Sequence, residues 1–135
     1  MKRRYRAIGS ATLEQKAQQE AQRAHGCAAC HLRKNRKQPG ATEIHHRTVS
    51  DLHGNKQLGQ DCTVALCSWH HRGVLLFGMT VEAMRDAYGP SLHHHKRDFL
   101  TWVQDVLGER STAALQAWQD GQIAKRDESI IGRVA

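Results

Sequence analysis

Two short ligand pairs constrain this chain more than any other feature: Cys27-Ala28-Ala29-Cys30 and Cys67-Ser68-Trp69-His70. Each pair lets one turn of backbone offer two metal-binding side chains to a single ion. Two such knuckles make a closed Cys3His tetrahedron, the geometry that structural zinc prefers. The remaining cysteine, Cys62, offers an alternative set in which Cys62 and Cys67 serve instead of Cys67 and His70. That set ranks lower, because alternation along a predicted strand points the two thiols opposite ways. Cys27-Ala28-Ala29-Cys30-His31 also matches the attachment pattern of c-type haem. Haem attachment needs export, and no apolar run follows the basic start Met1-Lys2-Arg3-Arg4-Tyr5-Arg6.

The composition suits a metal staple. With 135 residues and 5% aromatic content, the chain has little material for a large core. Small domains with thin cores usually rely on a metal or a covalent cross-link. The 20 Lys and Arg against 13 Asp and Glu leave a net charge of +7. That balance points to a polyanionic partner, nucleic acid first, with an ordinary soluble basic surface as the plainer alternative. No stretch is apolar enough to cross a membrane, so a cytoplasmic location is expected. In a reducing compartment, close cysteine pairs are metal ligands more often than disulfides.

The patterning predicts an α+β chain in three parts: a basic arm over 1–11, a domain over 12–108, and a C-terminal helix and flexible tail over 109–135. Thr12 and Gln15 spell a capping box for a polar, Ala-rich surface helix that Gly26 ends. Pro39-Gly40 marks a turn before a strand over Thr42-Glu43-Ile44-His45-His46. A polar loop over 47–61 leads to a second strand, Cys62-Thr63-Val64-Ala65-Leu66, and a helix starting near Trp69. Thr80 caps a helix that stops at Gly89-Pro90. Phe99, Trp102, Val103 and Val106 recur at helical spacing within a helix from Ser91 to Leu107. An amphipathic segment from Thr112 to Gln122 is followed by a frayed end over 124–135.

The paired histidines carry the chemistry. Strand, polar loop, strand and helix supply the parts of a ββα-metal site, in which one divalent ion is held against a phosphodiester and a histidine activates water. His71 sits about 100° round the helix from the zinc ligand His70, free to face a second site. At the end of the first strand, alternation is expected to relax, so that His45 reaches the ion and His46 the water. His53, Asn55 and Asp61 are candidates to orient His46 or a ligand. His93, His94 and His95 are read as surface decoration on a helix, and His25 and His31 as spectators. Arg33, Lys34, Arg36, Lys37, Arg47 and Arg72, with Lys2, Arg3, Arg4 and Arg6 of the arm, are candidate phosphate contacts.

These residues resemble the HNH superfamily. The match runs through Cys27-x-x-Cys30, Glu43-Ile44-His45-His46 and Ala65-Leu66-Cys67-x-x-His70-His71. More narrowly, the chain is similar to the phage recombination-enhancement (Ref) nucleases, which cleave DNA in a RecA-dependent way, over about residues 12–107. Ala87-Tyr88-Gly89 extends the likeness. The resemblance implies a small zinc-stabilised ββα-metal (HNH) core with flanking N- and C-terminal helices. It also implies structural Zn2+ and Mg2+- or Mn2+-dependent cleavage of DNA in a bacterial host cell. His45 and His71 would hold the ion and His46 would be the base, with a RecA filament as a possible partner. Where these enzymes carry a middle Asn, this sequence has Asp61-Cys62. The alternative function is a zinc-finger-like DNA-binding module without catalysis.

Overall fold

The structure is a computed structural model describing residues 9–51 and 56–134, apart from the side chains of 128–134. The expected arm up to Arg6, and the candidates His53 and Asn55, lie outside the described residues. Elements follow in the order α1 (Leu13–His25), α2 (Ala28–Arg33), β1 (Thr42–His46), β2 (Thr63–Cys67), α3 (Ser68–Arg72), α4 (Val81–Tyr88), α5 (Lys96–Leu107) and α6 (Thr112–Val134). The chain is α+β, with a two-stranded antiparallel sheet in which Thr42 faces Cys67, His45 faces Val64 and His46 faces Thr63.

A two-stranded sheet leaves the outer edge of β2 without a strand partner, and β2 is buried throughout. Unpaired backbone groups there would be costly. Two fully buried glutamines each satisfy one of them. Gln22 of α1 donates to the Thr63 carbonyl (2.9 Å), and the Ala65 amide donates to Gln119 of α6 (2.9 Å). The Thr63 hydroxyl also donates to Gln22 Oε1 (2.9 Å). So α1 is not the plain surface helix that its composition suggested. Its capping box forms as expected, and its Gln22 face closes the sheet edge.

The core gathers Trp69, Phe99, Leu66, Met84, Val103 and Leu115 around Cys27, Cys30 and Cys67. Trp69 keeps its indole N–H satisfied by donating to the Gly89 carbonyl (3.0 Å). Leu115 and Gln119 are fully buried, so the C-terminal helix belongs to the same core as the rest of the domain. It also runs to Val134, well past the expected frayed boundary.

The helix expected from Ser91 starts only at Lys96. Ser91 explains the delay, because its hydroxyl accepts the amides of His93 (3.0 Å) and His94 (3.3 Å) and holds a turn there. No described helix is long and apolar enough to cross a membrane.

Candidate metal centre and histidine pair

Both ligand pairs sit at helix starts. Cys27 is the N-cap of α2 and its sulfur accepts the Cys30 amide, while Cys67 is the N-cap of α3. An N-cap residue and the third residue of the helix project to the same side, which makes the two-residue gap productive. The β1–β2 pairing and the packing of α2 on β2 then bring the two helix starts together.

Cys27, Cys30, Cys67 and His70 are all buried, and their ligand atoms lie within 4.8 Å of one another. A tetrahedral ion about 2.3 Å from sulfur and about 2.0–2.1 Å from nitrogen separates two sulfurs by about 3.8 Å, and sulfur from nitrogen by about 3.6 Å. Here Cys30 Sγ is 4.0 Å from Cys67 Sγ. His70 Nδ1 is 3.5, 3.5 and 3.2 Å from the sulfurs of Cys27, Cys30 and Cys67. The cluster has the dimensions of a closed Cys3His site and is compatible with structural zinc. His70 Nε2–H donates to the Tyr88 carbonyl (2.9 Å), which leaves the Nδ1 lone pair aimed into the cluster.

The electrostatics call for a cation. Burial pushes the Cys27 thiol well up. Cys30 is pushed up to about 12: the hydrogen bond with Cys27 lowers it, but donation to Cys67, burial and the Cys67 charge outweigh that. Hydrogen bonds from Cys27 and Cys30 pull Cys67 far down. A divalent ion in the cluster would offset the upward push on Cys27 and Cys30 and favour their thiolates.

Cys62 is half-buried and outside the cluster, so the alternative ligand set does not form. The haem pattern is also set aside, because both thiols face the cluster and His31 turns to the His25 carbonyl.

A second group of side chains lies where β1 meets α3. The His45 and His71 rings are 5.0 Å apart, centre to centre, at 69°. Burial, reinforced by the nearby His71, drives His45 down to about 4 and keeps it a neutral imidazole near neutral pH. Glu43 lies two residues before His45 on the same strand, hence on the same face. Its carboxylate accepts from His71 Nδ1 (2.9 Å) and takes Arg72 in a bidentate pair (2.9 and 2.6 Å). The Arg72 hydrogen bonds hold the Glu43 carboxyl below the usual carboxylate range.

His46 does not join His71. The β1 ladder persists through His46, so the expected relaxation of alternation is absent, and its ring turns to the side of α1. There His46 Nε2 lies 3.0 Å from Gln60 Oε1. The same Oε1 accepts from Gln19 (3.0 Å), and Gln60 Nε2 donates to the Gly9 carbonyl (2.8 Å). Those partners fix the amide's orientation. His46 therefore donates through Nε2, and in the neutral ring Nδ1 is the nitrogen left able to take a proton.

Asp61 orients neither histidine. It is exposed and accepts from Gln15 (3.1 Å), and the residue before it meets His46 instead. Arg47 is tied to α6 through Thr112 (3.1 Å) and Gln116 (2.9 Å), and Arg33 lies over the Trp102 ring at 5.6 Å. Lys34, Arg36 and Lys37 are exposed. The triple histidine is more than decoration, because His94 donates to the Gly73 carbonyl (2.9 Å) at the end of α3.

Sequence reasoning missed Glu43, Gln60 and Asp51. Strand alternation, which puts Glu43 on the face of His45, was the signal that could have found it. Nothing local marked Asp51, whose carboxylate accepts the Thr112 amide (3.1 Å) and whose charge is felt at His45. Comparison with known protein families, curated proteins and solved structures gives no match for this chain.

The depressed His45 has a measurable consequence. Its folded value of about 4 lies below the unfolded value of about 6.5, so the unfolded chain takes up the proton first as the pH falls. Its contribution to stability is complete above about pH 6.5 and is lost as the pH falls towards 4, with a ceiling on the order of 3 kcal/mol. Urea unfolding across this range should show the wild type losing stability more steeply than His45→Gln. Parallel curves would contradict a half-buried His45 held neutral. Acid weakening of the cysteine cluster is common to both proteins and cancels in the difference.

Proposed function

We propose that this chain is a divalent-metal-dependent DNA endonuclease or nickase, hydrolysing phosphodiester bonds at the His45–His71 pair beside a structural zinc. The observation that carries this is the approach of the two imidazoles across β1 and α3, one kept neutral by burial and the other backed by a carboxylate. A neutral histidine backed by a carboxylate is the usual form of a metal ligand. Two imidazole donors suit a transition ion better than Mg2+, so of the two ions Mn2+ is the closer fit when phosphate oxygens and water complete the shell. Such an ion supplies Lewis acidity at a phosphate oxygen when bound.

The chain's own residues do the rest. His45 and His71 would hold that ion, and with it the phosphate. His46 is the base in this reading: its bare Nδ1 takes the proton of the attacking water once the ring leaves Gln60 and turns to the His45 side of β1. Arg72, with its side chain 60% exposed next to His71, meets the flanking phosphate. The net charge of +7 favours approach to DNA of any sequence.

The test is conversion of supercoiled plasmid to nicked or linear form by the zinc-loaded protein. Cleavage with Mg2+ or Mn2+, and none with EDTA, is expected. DNA binding without cleavage under either ion would instead assign the chain to the non-catalytic DNA-binding modules. Adding RecA, single strand and ATP to the same assay tests the filament-dependent form of the activity.

A further inference from the structure

We infer that Glu43 is the positioning residue of the histidine pair: a single carboxylate selects the nitrogen that His71 presents and holds Arg72 alongside it. The inference rests on the ion-site reading above and adds a residue to it.

Glu43 Oε1 lies 2.9 Å from His71 Nδ1. An ionised carboxylate only accepts, so the His71 proton is on Nδ1 and the Nε2 lone pair is free. The ring is thus presented with its bare nitrogen away from Glu43, and the His45 ring stands 5.0 Å off, centre to centre. The same carboxylate takes Arg72 Nε (2.9 Å to Oε1) and Nη2 (2.6 Å to Oε2).

His71 and Arg72 are consecutive on α3 and would otherwise diverge by about 100°. A planar carboxylate between them fixes both at once. Stability is a poor reason for this arrangement, since the Arg72 side chain is 60% exposed and pairs of this kind add little to folding. Ordering a metal ligand is a better one, because carboxylates behind ligating histidines fix both tautomer and ring direction.

The test uses the zinc-loaded full-length chain with Glu43→Ala and Glu43→Gln. Nitrogen-15 spectra at neutral pH should place the His71 proton on Nδ1 in the wild type. In Glu43→Ala it should move to Nε2, the form that an unconstrained side chain favours. Binding of Mn2+ to the second site should weaken by about 10- to 100-fold in Glu43→Ala. Glu43→Gln keeps the volume of the side chain and an acceptor oxygen. It should retain the Nδ1 proton and lose about tenfold in Mn2+ affinity, at the lower end of the range for such partners. It decides the matter even if the alanine variant fails to fold.

A wild-type proton on Nε2, or wild-type Mn2+ affinity in either variant, overturns the inference. A wild type that carries the Nδ1 proton and takes up no Mn2+ leaves Glu43 as the group that orients His71 and removes the ion-site reading instead.

Discussion

Replacing Cys67 with alanine is expected to release zinc and unfold the domain. Cys67 is fully buried, ends β2, caps α3 and faces Thr42 in the sheet, so β2, α2 and α3 meet at its sulfur. Its sulfur lies 3.2 Å from His70 Nδ1 and 4.0 Å from Cys30 Sγ, the edges of the proposed tetrahedron. Structural zinc sites contribute an apparent 10–16 kcal/mol or so at neutral pH, as large as the whole stability of about 5–15 kcal/mol typical of a domain. Losing one of the ligands leaves that stabilisation largely unavailable.

Elemental analysis should find about one zinc per chain in the wild type and little in Cys67→Ala. The cooperative melting transition of the wild type should vanish in the variant, and a strong chelator should abolish it in the wild type as well. Cys62→Ala is the control. That thiol is half-buried and outside the cluster, so its loss should leave zinc content intact. Unchanged zinc and an unchanged melting curve in Cys67→Ala would refute the centre.

The ligand pairs were readable because their geometry is local. Two side chains at a helix start share a direction whatever the rest of the fold does. The bounds of β1 and the Thr12–Gln15 capping box were readable for the same reason. What sequence could not give were contacts that depend on where helices pack. Gln22 and Gln119 look like ordinary surface residues until α1 and α6 close the free edge of β2. Alternation along β1 was the available signal for Glu43, but its role appears only once α3 lies against β1. His46 went the other way. The strand end was expected to loosen, and the ladder to Thr63 instead keeps His46 with Gln60.

That placement makes His46→Ala and His71→Ala an informative pair. His71 is expected to hold the ion, so its loss should abolish both second-site Mn2+ binding and plasmid cleavage. His46 is expected to carry the proton and not the ion, its ring leaving Gln60 to do so. His46→Ala should therefore keep zinc, the melting transition and Mn2+ affinity, while the cleavage rate falls by about 10²–10⁴, the usual worth of a positioned general base. In free-energy terms the barrier rises by roughly 3–5 kcal/mol. The hydrogen bond to Gln60 that the variant loses is half-buried, and its net worth is about 1 kcal/mol, so folding should survive. The divergence between the two variants is what separates the roles. Should His46→Ala cleave at the wild-type rate, the water's proton leaves by another route and His46 belongs to the packing of α1. Should His71→Ala retain Mn2+-dependent cleavage, the ion is not held between β1 and α3, and the nuclease proposal loses its site.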